Sequence, residues 1–365
     1  MERSGRMKPK QNKLERWNEE LLEVFQKSEI EKRKSGEGDM MKKIFVFKAF
    51  KLLAFFLVFL FSCTPNPSST PAVETQPEVK ISVPEFSADS AFNFVKKQVD
   101  FGPRIPNSKA HDDCAKYLVH QFEKRGLKVN QQKGSVKAYD GKILNFNNIT
   151  AQYQPEKINR VIISAHWDTR PWADQDAINS DKSFDGANDG GSGVGIILEL
   201  ARIISKSKLN VGVDLVLFDA EDYGKPQFED SYCLGAQYWS RNPFIPNYHA
   251  NYGINLDMVG DANAKFTYEG VSVANAKSTL DKVWRAAHTL GYDNHFLFNE
   301  TSGITDDHTY VNKIAKIPFI DIIDRDPETQ GFPESWHKHS DNMKNISPQT
   351  LKAVGQTLLY VLYTE

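Results

Sequence analysis

Two short runs constrain this chain more than any other feature. Val161-Ile162-Ile163-Ser164-Ala165 and Leu215-Val216-Leu217-Phe218 are apolar almost without interruption. A strand with one wet face alternates polar and apolar side chains, whereas a strand covered on both faces reads as a continuous apolar run. Strand-like segments fall at 128–139, 143–152, 161–165, 213–219, 252–256 and 317–322. Helical patterning falls at 91–99, after a start signal in Ser87-Ala88-Asp89, and at 109–126, where Cys114, Leu118, Val119 and Phe122 keep the helical period. Gly126 suits the end of that second helix. Further helices are expected over 193–204 and 278–290. This alternation predicts an α/β fold: a single domain with a central mixed, largely parallel β-sheet flanked by helices on both faces. No linker or internal repeat interrupts residues 86–365.

The 365 residues carry a formal charge of −2, with no basic footprint for nucleic acid. Only three cysteines are present, Cys63, Cys114 and Cys233, which excludes a disulfide scaffold or a cysteine-based zinc finger. Residues 1–40 are polar and hold no apolar stretch, so we read them as an upstream extension from a misplaced start. Met40-Met41-Lys42-Lys43 then feeds an apolar run broken only by Lys48 and Lys51, the pattern of a secretory signal. It closes in Leu60-Phe61-Ser62-Cys63, which resembles a bacterial lipobox and makes Cys63 the lipidated residue of a 41–63 signal peptide. An uncleaved membrane helix is the alternative, but it would give that cysteine no use. Residues 64–85, opening with Thr64-Pro65-Asn66-Pro67, form a tether. The expectation is an exported protein, lipid-anchored to a bacterial membrane and facing the periplasm. It would touch the membrane only through its lipid and act as a monomer. Cys114 and Cys233 would then meet an oxidising compartment, and the sequence leaves their pairing open.

Acidic and imidazole side chains collect at the strand ends, where ligand sites of open α/β sheets lie. The 161–165 strand ends in His166-Trp167-Asp168. Gly186-Ala187-Asn188-Asp189-Gly190-Gly191-Ser192-Gly193 runs into a helix. The 213–219 strand ends in Asp219-Ala220-Glu221-Asp222, and the 252–256 strand in Asp257; Asp306-Asp307-His308 and Trp336-His337 follow. Each residue alone is ordinary, a cap or a satisfied histidine; the ordered set points to metal chemistry, since zinc takes His nitrogen and Asp or Glu oxygen. The glycines around Asp189 lack the lysine and spacing of a phosphate loop.

The order H-x-D, A-N-D-G-G-S-G, F-D-A-E-D, N-L-D-M-V-G and a late His resembles peptidase family M28, the zinc aminopeptidase group, over nearly all of residues 86–365. Within that group, Phe101-Gly102-Pro103-Arg104, Asp306-Asp307-His308 and Phe332-Pro333-Glu334-Ser335-Trp336-His337 resemble the glutaminyl cyclases. The resemblance implies zinc on Asp189, Asp222 and His337, with Glu221 as general acid/base. Asp257 and Asp306 would complete an acidic hydrogen-bond network, and Trp336 and Phe332 would line the pocket. Where many relatives carry Glu-Glu, this chain has Glu221-Asp222.

The activity so implied is conversion of N-terminal glutamine of peptides or proteins to pyroglutamate, assisted by one zinc ion. The alternative is a two-zinc aminopeptidase, whose second metal would take His166 and Asp257. An Asp306–Asp257 hydrogen bond would turn Asp257 away from that duty. A remote alternative is a binding lipoprotein without catalysis, but Asp189, Asp222 and His337 are all intact. Asp168 is expected either to orient His166 or to cap the strand end. His308 is expected to support its loop rather than bind zinc, and Trp172 to pack.

Overall fold

The computed structural model describes residues 82–365. The upstream extension, the signal with Cys63 and most of the tether lie outside the described residues. The elements, in chain order, are α1 (Ala88–Val99), α2 (Lys109–Glu123), β1 (Lys128–Lys137), β2 (Ile143–Tyr153) and β3 (Arg160–His166). Then come α3 (Gly191–Ile204), β4 (Gly212–Phe218), α4 (Leu234–Arg241), β5 (Tyr252–Asp257) and β6 (Phe266–Glu269). The last are α5 (Gly270–Thr289), β7 (Phe296–Thr301), α6 (Asp307–Tyr310) running into a π turn (Val311–Ala315), β8 (Phe319–Ile323) and α7 (Pro348–Thr364).

The main sheet has the order β1-β2-β4-β3-β5-β8. Its inner pairs β4–β3, β3–β5 and β5–β8 are parallel, and β1 and β2 add an antiparallel flank. Every residue of β3 and β4 is buried. Alternate side chains of a strand serve opposite faces. Val161, Ile163, Leu215 and Leu217 enter the large core built with helices such as α1, α3 and α7. Ile162, Val216 and Phe218 enter a second core with Trp239 of α4 and Tyr310 and Val311 beyond it. Two cores, one on each face, are why these strands carry no polar alternation.

From β3 the chain steps to β4 on one side, then returns to β5 on the other side of β3. That reversal opens a crevice at the carboxyl ends of the three strands, the place where such folds bind ligands. Ser87 caps α1 by accepting from Ser90 N–H, and Gly126 ends the α2 segment with φ +76°. Phe86 is buried, and Val83 before it packs against the large core. The helix expected over 278–290 is longer: α5 starts at Gly270, capped by the Glu269 carboxylate on Val271 and Ser272 N–H, and kinks at Ala276. Among the described residues, no helix is long and apolar enough to cross a membrane. Cys114 and Cys233 are buried free thiols.

Candidate active site

The crevice is assembled by strand exits that lock onto one another. Asp168, just past β3, is fully buried and accepts the N–H groups of Glu221 (3.0 Å) and Asp222 (3.2 Å). The β3 exit therefore fixes the pose of the β4 exit. Asp189 sits on the loop entering α3, where Gly190 has φ +78°. A Cβ there would lie 2.5 Å from the Asp168 carbonyl oxygen and 2.9 Å from the His166 ring, so only glycine lets this loop come so close. Asp341 holds the same loop by accepting from Asn188 N–H (2.7 Å) and Asp189 N–H (3.1 Å). Asn188 Oδ1 accepts from Gly260 N–H, and Ser192 Oγ accepts from Val259 N–H, tying the loop to the segment after β5.

Two sets of donors share Asp189. In the first, His337 Nε2 lies 3.3 Å from Asp222 Oδ1 and 3.6 Å from Asp189 Oδ2. In the second, His166 Nε2 lies 3.0 Å from Asp189 Oδ1 and 3.3 Å from Asp257 Oδ1. Within each set the ligand atoms lie within 4.8 Å of one another.

The first set fits zinc on the chemistry of its own atoms. Asp222 Oδ2 is buried with no partner, while Oδ1 accepts from Arg170 Nη1 at 3.0 Å. His337 Nδ1 faces Asp174 Oδ1 at 3.3 Å, leaving Nε2 for a metal. Two carboxylates and one imidazole leave a fourth position for substrate. Despite burial, Asp222, with Asp174 and Asp189, raises His337 to about 9, and the carboxylates around His166 raise it well above the ordinary histidine range. The field that holds those protons is the field that attracts a divalent cation.

On the cavity side, Glu221 is held well above the usual carboxylate range by burial and by Asp222. Burial, with Asp306 and Asp189 nearby, pushes Asp257 up to about 7. Asp306 caps α6, accepting from Asp307 N–H and from Asn255 Nδ2 at 3.1 Å. These groups open on a cavity of about 550 Å³ lined by Asp189, Glu221, Asp257, Phe332, Trp336 and His337. The Trp336 ring stacks on His337 at 3.9 Å between centroids, and Phe332 lies 4.6 Å from Trp336.

The candidate ligands and acid/base groups from His166 to His337 (His166, Asp189, Glu221, Asp222, Asp257, Asp306 and His337) therefore meet in one place, with Phe332 and Trp336 beside them. Asp257 faces His166 at 3.3 Å, which leaves its carboxylate beside the second donor set, and Asp306 accepts from Asn255 and caps its own helix. Asp168 orients the Glu221-Asp222 turn, and its Oδ1 lies 3.6 Å from His166 Nδ1. His308 is buried against Glu269 at 3.0 Å, a supporting role, and Trp172 packs edge-on to Tyr223. Sequence reading missed Asp341 and placed Arg170–Asp174 no closer than the rim, because the partners of Arg170 and Asp341 are distant in the chain and Asp174 looks like an ordinary loop charge.

A protein-family model described as Peptidase family M28 matches residues 148–362. The chain is a member of peptidase family M28. Its fold is similar to the crystal structure of Bacteroides thetaiotaomicron glutaminyl cyclase bound to N-acetylhistamine. The two share 50% sequence identity over 78% of this chain and 100% of that one, with a TM-score of 0.76. It is similar to the same degree to a Zn-dependent exopeptidase from Parabacteroides distasonis: 48% identity over 78% of this chain and 100% of that one, TM-score 0.76. Aminopeptidase YwaD of Bacillus subtilis is 26% identical over 235 residues, 61% of this chain and 46% of that protein. The chain thus spans under half the length of that curated relative. The Asp189, Asp222 and His337 donors are of the kind zinc accepts.

Proposed function

We propose that this M28 protein is a glutaminyl-peptide cyclotransferase, closing N-terminal glutamine of peptides or proteins to pyroglutamate with release of ammonia. The observation that carries this reading is the correspondence with a glutaminyl cyclase, at 50% identity over 78% of this chain and the whole of that one. The cavity agrees with it: Trp336 flat on His337, with Phe332 beside it, suits a small planar amide held next to the ligand set.

The attacking amine is tethered to the γ-amide it attacks, so proximity is supplied by the substrate itself. One zinc held by Asp189, Asp222 and His337 would polarise the γ-carbonyl and stabilise negative charge on its oxygen. Glu221 takes a proton from the α-amine and gives it to the departing ammonia. Asp306 lies beside Glu221, and Asp257, pushed up to about 7 by burial with Asp306 and Asp189 nearby, shares its proton with solvent through the neutral range. Asp168 and Arg170 keep the Glu221-Asp222 turn in place throughout.

One observation favours a second reading, a two-zinc aminopeptidase: His166, Asp189 and Asp257 form a second donor set. Ammonia release from Gln-peptides, run beside release of N-terminal amino acids from Leu-peptides, separates the two. Ammonia with intact peptide length is expected; free amino acid without ammonia would replace the cyclase by the peptidase. Export and anchoring through Cys63 belong to the same proposal. Palmitate labelling that disappears in Cys63→Ala is expected, and labelling that persists there would overturn it.

A further inference from the structure

We infer that Cys233 is the positioning residue of the general base, its thiol donating to Glu221 and holding that carboxylate against the cavity wall. The inference rests on the cyclase reading of Glu221. Among the described residues, the Glu221 side chain has a single hydrogen-bond partner, Cys233 Sγ, 3.2 Å from Oε1. With Oε1 engaged, Oε2 is left for the substrate amine.

The thiol is delivered by a rigid clamp. Cys233 N–H donates to the Glu221 carbonyl at 2.8 Å, and Leu234 N–H donates to the Ala220 carbonyl at 3.1 Å. Ala220 and Cys233 both occupy the left-handed region, at φ +53° and +56°. Residues with a Cβ rarely adopt it, and it persists only where the surroundings impose it. Gly235 closes the clamp, since a Cβ there would meet the Asp219 carbonyl oxygen at 2.1 Å.

A restraint is needed here because Glu221 and Asp306 lie in one cluster with Cys233, ligand atoms within 4.8 Å of one another. Two carboxylates at that range repel, and Glu221 would swing off the wall without a donor behind it. Cys233 is fully buried and does not line the cavity, so it acts through Glu221 and not on substrate. Burial and the charges of Glu221 and Asp307 keep its thiol protonated, hence a donor.

The test compares Cys233→Ser and Cys233→Ala with wild type in the zinc-loaded full chain, following ammonia release from a Gln-peptide. Losing one hydrogen bond to a charged group should lower kcat about tenfold in the Ala variant. KM and zinc content should stay within about twofold, and Ser should restore kcat to within about threefold of wild type, because it keeps the donor. An Ala variant with wild-type kcat overturns the inference, as does a Ser variant that falls as far as Ala. Should the Ala variant not fold, the S–H Raman band of the wild type decides. A band displaced to low frequency relative to Cys114, and restored in Glu221→Ala, supports the bond; a band indifferent to Glu221 refutes it. Wild-type protein that releases no ammonia removes the cyclase reading, while the Raman result still decides on the bond.

Discussion

Asp174 is the residue by which the ligand geometry can be perturbed most cleanly. Its Oδ1 lies 3.3 Å from His337 Nδ1, and its carboxylate also accepts from Arg170 Nε at 2.9 Å and Nη2 at 2.7 Å. Asp174→Ala removes the acceptor that decides which ring nitrogen carries the proton, and it removes a negative charge beside the metal. Both effects weaken zinc binding. Arg170 keeps its bonds to the Asp222 carboxylate and carbonyl, so that ligand is not set loose. Partners behind a metal-bound histidine are typically worth about 10- to 100-fold in metal affinity. Asp174 has 34% of its side chain exposed, and water can replace part of the lost contact, so the lower end applies: about tenfold, or about 1.4 kcal/mol. Competition with a chromophoric chelator measures the zinc Kd directly. Asp174→Asn keeps an oxygen that can accept from His337 and should stay within about threefold of wild type. At saturating zinc both variants should regain kcat. An unchanged Kd in the Ala variant, or an Asn variant as weak as Ala, would refute the reasoning.

Three further expectations follow from the same geometry. Glu221→Gln removes the proton carrier without touching a ligand atom; kcat should fall about a hundred- to ten-thousandfold while bound zinc, read by elemental analysis, is retained. In the metal-free protein, His337 is raised to about 9 and Asp257 to about 7. A raised folded-state pKa gives stability that is complete below the unfolded value and lost as pH climbs through the folded one. Melting of the metal-free protein should therefore fall as pH rises through neutrality to about 9, while the zinc-loaded protein is flatter, since the metal replaces the His337 proton. Finally, a Cβ at Gly193 would lie 2.5 Å from the Leu256 carbonyl oxygen and 2.8 Å from Ala165 Cβ. Gly193→Ala should cost about 1–3 kcal/mol in denaturant unfolding, because α3 must lift from the sheet.

The inner sheet was legible because β3 and β4 must feed two cores and so carry continuous apolar runs. The strand exits were legible because chemistry placed His166, Glu221, Asp222 and Asp257 directly after those runs. The two-stranded β6–β7 ribbon, α4 and α7 were not. Phe266–Glu269 is only four residues long, too short for a pattern, and the early part of α5 is recognisable only through the Glu269 cap. Asp341 and Arg170 were hidden for another reason. Their importance lies in what they reach, the Asn188-Asp189 amides and the Asp222 carboxylate, more than 50 residues away in the chain. Asn255, two residues before Asp257, was hidden in the same way: it supplies a neutral donor to Asp306, a partner that suits a buried carboxylate better than a second carboxylate does.

The central claim is a cyclase that works with one zinc at a site able to present two donor sets. Zinc should be titrated into the metal-free full chain while ammonia release from a Gln-peptide and cleavage of the same peptide are followed together. The account predicts ammonia release that saturates at one equivalent of zinc, with no peptide-bond cleavage at any ratio. Activity that appears only as the second equivalent binds, accompanied by release of the N-terminal residue, would contradict it.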